Sequence, residues 1–155
     1  MQTLRCCFAG HGMIRDGDIG QRIINTADIL IKQFSVNEFW IGNYGDFDRS
    51  AAYAVRSLKK TYDGITLNLI IPYLTQEITR HKDYYKENFD NIIIADIPEK
   101  TPKKLYILKA NEYMVNNSDF LICYVKLSFG GAVKTLEYAK RKRIKIYNIA
   151  NTVRH

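Results

Sequence analysis

Short apolar runs alternate with longer amphipathic segments along the chain. Most of these runs lack the apolar–polar alternation of a strand with one wet face, which indicates strands buried on both faces of a parallel sheet. The predicted strands are Leu4–Ala9, Phe39–Ile41, Thr66–Ile71, Asn91–Ala95, Phe120–Val125 and Ile144–Ile149. The predicted helices between them are Ile19–Phe34, Asp46–Tyr62, Thr75–Asn88, Lys103–Asn117 and Ala132–Arg143. This order predicts a doubly wound α/β fold, with three layers (α/β/α) and a mostly parallel central sheet.

The size of the chain fits one domain spanning residues 1–155, since 155 residues with 46% hydrophobic content can bury a sizeable core. No apolar stretch approaches the length of a membrane span, and the opening MQTLRCC lacks the apolar region of a secretory signal. We therefore expect a cytoplasmic protein without a membrane partner. Cys6, Cys7 and Cys123 are expected to be reduced core residues and not metal ligands, so neither a metal nor a cofactor is predicted.

The formal net charge of +7 is compatible with anionic partners. Its densest basic run, Ala139–Lys145, falls at the end of a predicted helix, where cations are favoured by the helix dipole. No aromatic stacking surface, zinc-finger spacing or recognition helix accompanies this run. We therefore expect a small anion as the partner, and nucleic acid is disfavoured.

Three glycine-bearing turns follow predicted strands: Gly10-His11-Gly12, Gly42–Asp48 and Ser128–Glu137. The carboxyl ends of parallel strands meet at one edge of the sheet, where helix N-termini present unpaired N–H groups to a ligand. Glycines are also an ordinary way to turn a strand into a helix, so one turn alone would be weak evidence. Together the three turns predict a ligand site at this edge.

The strand end Cys7–His11, the turn Gly42–Asp48 and the helix segment Asn111–Asp119 resemble the SLOG superfamily, in its small standalone bacterial and phage members. This superfamily is the Rossmann-like domain shared by LOG-type phosphoribohydrolases and DprA-type DNA-processing proteins. The resemblance covers nearly the whole chain and implies a Rossmann-like, nucleotide-binding fold. It also implies a homo-oligomer, at least a dimer.

The third turn resembles the phosphate-binding motif of LOG-type enzymes, in which a glutamate assists cleavage of the base–ribose bond. Gly130, Gly131 and Glu137 keep the spacing of that motif, which implies a ligand role for the turn and a catalytic role for Glu137. The alternative for Glu137 is an i, i+4 ion pair with Arg141. The further ligand-binding residues implied around this turn are Ser128, Ala132, Thr135 and Asn111.

Two departures from the resemblance weaken the case for an enzyme. Gly12 and Ala110 stand where related proteins commonly have arginine. A site that stabilises charge during glycosidic cleavage is handicapped without these cations, and a lysine at 109 or 134 does not replace a bidentate guanidinium.

Within the second turn, Asp46 is a natural helix N-cap, whereas Asp48 is implied to accept ribose hydroxyls. Asn43 and Tyr44 are candidates for base or sugar contacts, although a tyrosine there is often a loop anchor. Tyr73 is either a stacking partner for an adenine-like ring or a half-buried residue that closes the sheet. The turn's glycines, Gly42 and Gly45, complete its contribution to the predicted site.

The first turn has a similar pair of interpretations. Gly10 and Gly12 let the backbone approach a ligand closely, and His11 offers an imidazole to a phosphate or ribose. The alternative is that His11 is a satisfied structural histidine.

Three functions follow from these residues and from the resemblance. The first is binding, as a sensor or sequestering module, of a nucleotide-derived small molecule such as a nucleoside monophosphate, an ADP-ribose derivative or a cyclic nucleotide signal. SLOG domains that recognise NAD-derived signals in bacterial conflict systems, which include phage defence, imply this function. The second is a LOG-like nucleoside 5′-monophosphate N-glycoside hydrolase. The third, a DprA-like nucleic-acid binder, is favoured by the net charge alone.

Overall fold

The computed structural model describes residues 3–150, and strands and helices alternate along this part of the chain. The strands are β1 (Leu4–Gly10), β2 (Val36–Ile41), β3 (Thr66–Ile71), β4 (Asn91–Ile94), β5 (Phe120–Tyr124) and β6 (Lys145–Asn148). The helices are α1 (Ile19–Phe34), α2 (Asp46–Lys59), α3 (Gln76–Arg80), α4 (Lys82–Asn88), α5 (Tyr106–Asn116) and α6 (Gly131–Lys142), and a short 3₁₀ turn, Lys103–Leu105, precedes α5. Across residues 3–150, none of the helices combines the length and apolar character needed to cross a membrane.

The strands form a single six-stranded sheet in the order β4-β3-β2-β1-β5-β6, and every neighbouring pair is parallel. The chain winds outward from β1 to β4 and then crosses back, so that β5 pairs with the other side of β1. The strand order therefore reverses between β1 and β5, which is where doubly wound sheets bind ligands. The predicted α/β fold is confirmed, and the sheet is wholly parallel.

Each face of the sheet has its own core. On one face, Phe8, Phe39 and Phe47 are fully buried, and the rings of Phe8 and Phe39 stack at 5.9 Å. α1 covers this face with a buried stripe of Ile19, Ile23, Ala27 and Leu30 at helical spacing. The other face packs against α5 and α6.

The three cysteines are buried and free, as the sequence analysis expected. Burial raises the pKa of Cys7 and of Cys123 to about 12. These thiols therefore stay protonated at neutral pH and act as small apolar core residues.

The segment predicted as one helix, Thr75–Asn88, is two helices. The Thr75 hydroxyl caps α3 by accepting the Ile78 N–H at 3.2 Å. His81 then leaves helical geometry, with φ −114° and ψ 40°, before α4 begins at Lys82.

Candidate functional site

A pocket of about 350 Å³, hereafter the first pocket, lies at the ends of β1 and β5. The turns after β1, β2 and β5 form its walls, together with the start of α5. The predicted site residues that line it are Gly10, His11, Gly12, Gly45, Asp48, Asn111, Gly130, Gly131 and Ala132. The fold thus brings together residues that are up to 122 positions apart, from Gly10 to Ala132.

His11 has a structural task within this pocket. Its Nε2 accepts hydrogen bonds from the backbone N–H of Lys126 at 2.9 Å and of Leu127 at 3.2 Å. An acceptor nitrogen must be unprotonated, so the imidazole is neutral here, and burial lowers its pKa. His11 therefore positions the turn after β5 and does not offer a positive charge to a phosphate.

The glycines of the first two turns are explained by packing of the protein against itself. A Cβ at Gly10 would lie 2.3 Å from the Phe47 ring, and a Cβ at Gly45 would lie 2.4 Å from the Cα of Gly12. Packing against Phe47 is therefore a sufficient reason for Gly10, and the expected close approach of a ligand to Gly10 stays a prediction. At Gly12 the nearest atom to a Cβ is the Tyr44 carbonyl oxygen at 3.8 Å, so this position is open.

Asp46 joins two of the turns. The predicted N-cap role is wrong, because Gly45 occupies the N-cap position and Asp46 is the first residue of α2. Its Oδ2 instead accepts the Ile14 N–H at 2.9 Å, and its N–H donates to the Gly12 carbonyl at 2.8 Å. The hydrogen bond from Ile14 holds the pKa of Asp46 below its usual range.

Asp48 is the carboxylate within the lining of the first pocket. Its Oδ2 accepts the Tyr44 N–H at 2.9 Å. Burial raises the pKa of Asp48 to about 6, against which the Tyr44 hydrogen bond acts more weakly. The group therefore titrates close to neutral pH and can accept or donate a hydrogen bond at the pocket.

The turn into α6 presents its backbone to the pocket. Gly130 has φ +106°, a conformation that favours glycine, and it precedes a helix whose N-terminus has no side-chain cap. A Cβ at Gly131 would meet no protein atom within 4 Å. Gly131 is thus required neither by packing nor by its φ, in contrast to Gly10 and Gly130.

Thr135 and Asn111 support this turn from within. Thr135 is 1% exposed, and its hydroxyl donates to the Gly131 carbonyl at 3.0 Å. The Asn111 amide in turn donates to that hydroxyl at 3.2 Å. Asn111 lines the pocket, whereas the predicted ligand contact of Thr135 is replaced by an internal one.

The remaining predicted residues lie outside the first pocket. The side chain of Glu137 is 53% exposed and forms an ion pair with Lys140 at 3.2 Å. The alternative to a catalytic role was an ion pair with Arg141, so the partner differs from the one expected. Ser128 is exposed and Gly42 is buried, and neither is part of the lining. This geometry does not support a catalytic role for Glu137.

An apolar rim around the first pocket was missed by the sequence analysis. It consists of exposed side chains on three different elements: Met13 (73% exposed), Ile107 (46%), Leu127 (50%) and Phe129 (69%). Leu127 and Phe129 stand in the turn between β5 and α6, outside any predicted core element. Large apolar residues in an exposed glycine turn are the signal that could have identified them.

A second pocket, of about 900 Å³, contains two further predicted residues, Asn43 and Tyr73. Tyr44 and Ile107 line both pockets, so the two adjoin. The Asn43 amide donates to the Tyr85 hydroxyl at 3.3 Å, and Tyr73 is 43% exposed.

Comparison with solved structures finds this fold in DNA processing protein A (DprA). The X-ray structure of DprA from Streptococcus pneumoniae matches with a TM-score of 0.69 and 14% identity, over 97% of this chain and 52% of that one. The structure of DprA from Helicobacter pylori, described for its single-stranded DNA binding mode, matches with a TM-score of 0.65 and 16% identity, over 92% of this chain and 63% of that one. The fold therefore resembles that of DprA. No protein-family model and no curated protein matches the chain.

These neighbours agree with the resemblance to the SLOG superfamily, to which DprA belongs. At such low identity the likeness concerns the fold, and this chain spans 52% and 63% of the two DprA chains. The likeness to DprA corrects one expectation. Nucleic acid was disfavoured because familiar nucleic-acid motifs are missing, and this inference is wrong, since the DprA of Helicobacter pylori, whose structure this chain resembles, is described for its binding of single-stranded DNA. The homo-oligomer stays a prediction.

Proposed function

We propose that the protein binds a nucleotide in the first pocket, with the phosphate at the start of α6. The observation that carries this proposal is that Gly130, Gly131 and Ala132 line the pocket at a helix N-terminus without a side-chain cap. Free N–H groups and the positive end of the helix dipole bind anions without the help of arginine. Gly131 leaves open space in which a phosphate oxygen can approach the backbone.

The charges of the two helix starts favour α6 over α2 as the phosphate site. The first turn of α2 carries Asp46 and Asp48, whereas the first turn of α6 carries no acidic residue. Carboxylates repel a phosphate and already occupy the favourable end of the α2 dipole. We therefore assign the sugar hydroxyls to Asp48 and the base to the apolar rim, where Phe129 offers an exposed ring.

The ligand is first a nucleotide-derived small molecule, such as a nucleoside monophosphate, an ADP-ribose derivative or a cyclic nucleotide signal, bound for sensing or sequestration. A second candidate is single-stranded DNA, favoured by the likeness to DprA from Helicobacter pylori and by the net charge of +7. Both ligands place one nucleotide phosphate in the same pocket. The LOG-like hydrolase is not favoured, because Glu137 lies outside the lining.

Calorimetry with AMP, dAMP and a 5′-phosphorylated ten-residue deoxyadenylate strand tests the proposal. Gly131→Val adds a branched side chain where the phosphate is expected to bind. We expect this variant to lower the affinity for every ligand that wild type binds by at least tenfold. Gly20→Val is the matched control, since Gly20 stands near the start of α1, lines neither pocket and also has no atom within 4 Å of a Cβ. Circular dichroism confirms folding.

The three ligands also separate the two candidates. Tight binding of AMP identifies a small-molecule site, whereas binding of the strand with little affinity for either monophosphate identifies a single-strand site. Normal binding by folded Gly131→Val would contradict the assignment of the phosphate to α6.

A further inference from the structure

The second pocket is unusually rich in tyrosine. The five tyrosines in its lining come from the turn after β2, the loop after β3, α4 and the start of α5: Tyr44, Tyr73, Tyr84, Tyr85 and Tyr106. Three of them keep a large exposed fraction, namely Tyr44 (39%), Tyr73 (43%) and Tyr84 (54%). These rings offer apolar faces to a planar molecule at a small cost in side-chain entropy.

Contacts within the protein hold the aromatic lining in place. The rings of Tyr73 and Tyr106 meet edge to face at 5.5 Å, and those of Tyr84 and Tyr85 at 5.1 Å. The Tyr85 hydroxyl donates to Glu77 and accepts from the Asn43 amide. The aromatic surface is therefore ordered before any ligand arrives, which reduces the entropy lost on binding.

The charged groups in the lining favour an anionic ligand. Arg49, His81 and Lys103 are all exposed there, and Glu77 is the single acid among the lining residues. Arg49 shares its charge with Asp46, and Glu77 is engaged by the Tyr85 hydroxyl. Lys103 is thus the cation of this lining that is left to meet a phosphate of the ligand.

We infer that the second pocket stacks the base of a second nucleotide, joined through its phosphate to the nucleotide in the first pocket. Tyr44 and Ile107 line both pockets, so a ligand can pass from one to the other along a continuous surface. This inference rests on the proposed function, because the first nucleotide anchors the second. It adds a ligand class: a molecule with two planar bases linked by phosphate.

The experiment compares three ligands by calorimetry at one ionic strength. They are AMP, 5′-phosphorylated diadenylate (pApA), and the analogue of pApA whose second base is removed. The analogue keeps both phosphates, so the difference between it and pApA isolates stacking from charge. The protein variants are Tyr73→Ala, Tyr73→Phe and, as a control, Tyr53→Ala, which removes a 67% exposed tyrosine on α2 that lines neither pocket.

We expect pApA to bind wild type about tenfold more tightly than AMP or the abasic analogue, as befits one stacked base. Tyr73→Ala should remove this advantage and leave AMP unchanged, whereas Tyr73→Phe and Tyr53→Ala should preserve it. If AMP binds but pApA gains nothing over the abasic analogue, the second pocket does not hold a base. Equal weakening of AMP and pApA by Tyr73→Ala contradicts the inference in the same way.

Failure of the proposed function looks different, because AMP, pApA and the ten-residue deoxyadenylate strand would then all fail to bind wild type, and both proposals would fall. A 5′-phosphorylated hexaadenylate distinguishes the sources of a two-base ligand. Affinity equal to that of pApA indicates a free dinucleotide, and higher affinity indicates a strand that continues beyond the two pockets. Either result supports the second pocket, provided that Tyr73→Ala weakens binding of the hexamer.

Discussion

The Nε2 atom of His11 lies 2.9 Å from the backbone nitrogen of Lys126 and accepts its hydrogen bond. Leu127 donates to the same nitrogen, so a single imidazole holds two successive residues of the turn that leads to Gly130 and Gly131. The geometry of the proposed phosphate site therefore depends on a histidine that need not touch the ligand.

His11→Phe should loosen this turn, because the ring is kept and the acceptor is lost. We expect the amides of Lys126 and Leu127 to exchange with solvent roughly fivefold faster at pH 7.5, as a loss of about 1 kcal/mol of local hydrogen bonding predicts. The same experiment on His81→Phe, which alters an exposed histidine in the second pocket, should leave both amides unchanged. Unaltered exchange in His11→Phe would show that the turn is held by other contacts.

Acid should have a similar effect on the wild type. Burial lowers the pKa of His11 in the folded protein, so its contribution to stability is present above about pH 6.5, the ordinary histidine value, and is lost as the pH falls through the lowered one. After correction for intrinsic exchange, protection of the Lys126 amide should decline in this range. His11→Phe should show no such decline.

Asp48→Asn should stabilise the protein at pH 7.5. The carboxyl has a pKa raised to about 6 by burial, so its ionisation disfavours the folded state above that pH. Sign and window follow from linkage: the contribution is favourable below about pH 4 and is lost as the pH rises through about 6. Asparagine keeps an oxygen for the Tyr44 N–H and carries no charge.

Urea unfolding at several pH values measures this effect. The free energy of unfolding of Asp48→Asn should exceed that of wild type by about 3 kcal/mol at pH 7.5, since one pKa unit corresponds to about 1.4 kcal/mol, and the two should converge below about pH 4. The exposed Asp63→Asn serves as the control and should follow wild type throughout. A lower stability of Asp48→Asn at pH 7.5 would mean that the carboxylate is stabilised by contacts stronger than its burial penalty.

Gly10→Ala should destabilise the fold, because its methyl group would overlap the Phe47 ring. Overpacking of this kind costs about 1–3 kcal/mol. At Gly12, two residues away, the nearest atom to a Cβ is 3.8 Å distant. The free energy of unfolding of Gly12→Ala should therefore lie within about 0.5 kcal/mol of that of wild type. Equal stability of the two variants in thermal unfolding would contradict the packing explanation for Gly10.

The basic end of α6 should be dispensable for binding of a mononucleotide. Arg141 and Lys142 end the helix, at the edge of the sheet opposite the first pocket, and lie over the Tyr138 ring at 5.7 Å and 5.4 Å. We expect the double variant Arg141→Ala, Lys142→Ala to change the AMP affinity less than twofold at about 0.15 M salt, where distant charges are screened. Loss of AMP binding, with Gly131→Val unaffected, would move the site to this basic surface.

Incubation with adenosine, guanosine and cytidine monophosphates should release little free base. The exposed, ion-paired Glu137 is not positioned to assist cleavage at the first pocket. Chromatography of the products checks this expectation. Multiple turnover that disappears in Glu137→Gln would overturn the binding-only function, and turnover that survives in Glu137→Gln but not in Asp48→Asn would identify Asp48 as the reacting carboxylate.

Much of the fold could be predicted because local pattern and tertiary packing agree. The α1 stripe of Ile19, Ile23, Ala27 and Leu30 has helical spacing, and these residues are the ones buried. All five residues of β5 are buried, as its unbroken apolar run predicts. The division of Thr75–Asn88 into two helices could not be predicted, because no glycine or proline marks the break at His81.

The location of the first pocket could be predicted from the sequence, but the role of each of its residues could not. Glycine-bearing turns at strand ends indicate a pocket, because parallel topology places these ends together. Whether a glycine faces a ligand or a neighbour depends on contacts distant in sequence, as with Gly10 against Phe47. The same holds for His11, whose partners are 115 and 116 residues away. The residues that line the second pocket come from segments too far apart in the sequence to form a motif.

The return of the chain from β4 to the far side of β1 divides the lining of the first pocket between the two halves of the chain. Residues 98–100, in the connection after β4, are exposed and would tolerate a cut. The N-terminal fragment would keep His11 and Asp48, and the C-terminal fragment would keep Asn111 and Gly131, so neither could form the first pocket alone. Reassembly would pair β5 with the unpaired edge of β1. A nucleotide that contacts residues of both fragments would stabilise the reassembled protein. This topology suits the protein to a split reporter whose signal would depend on the proposed nucleotide.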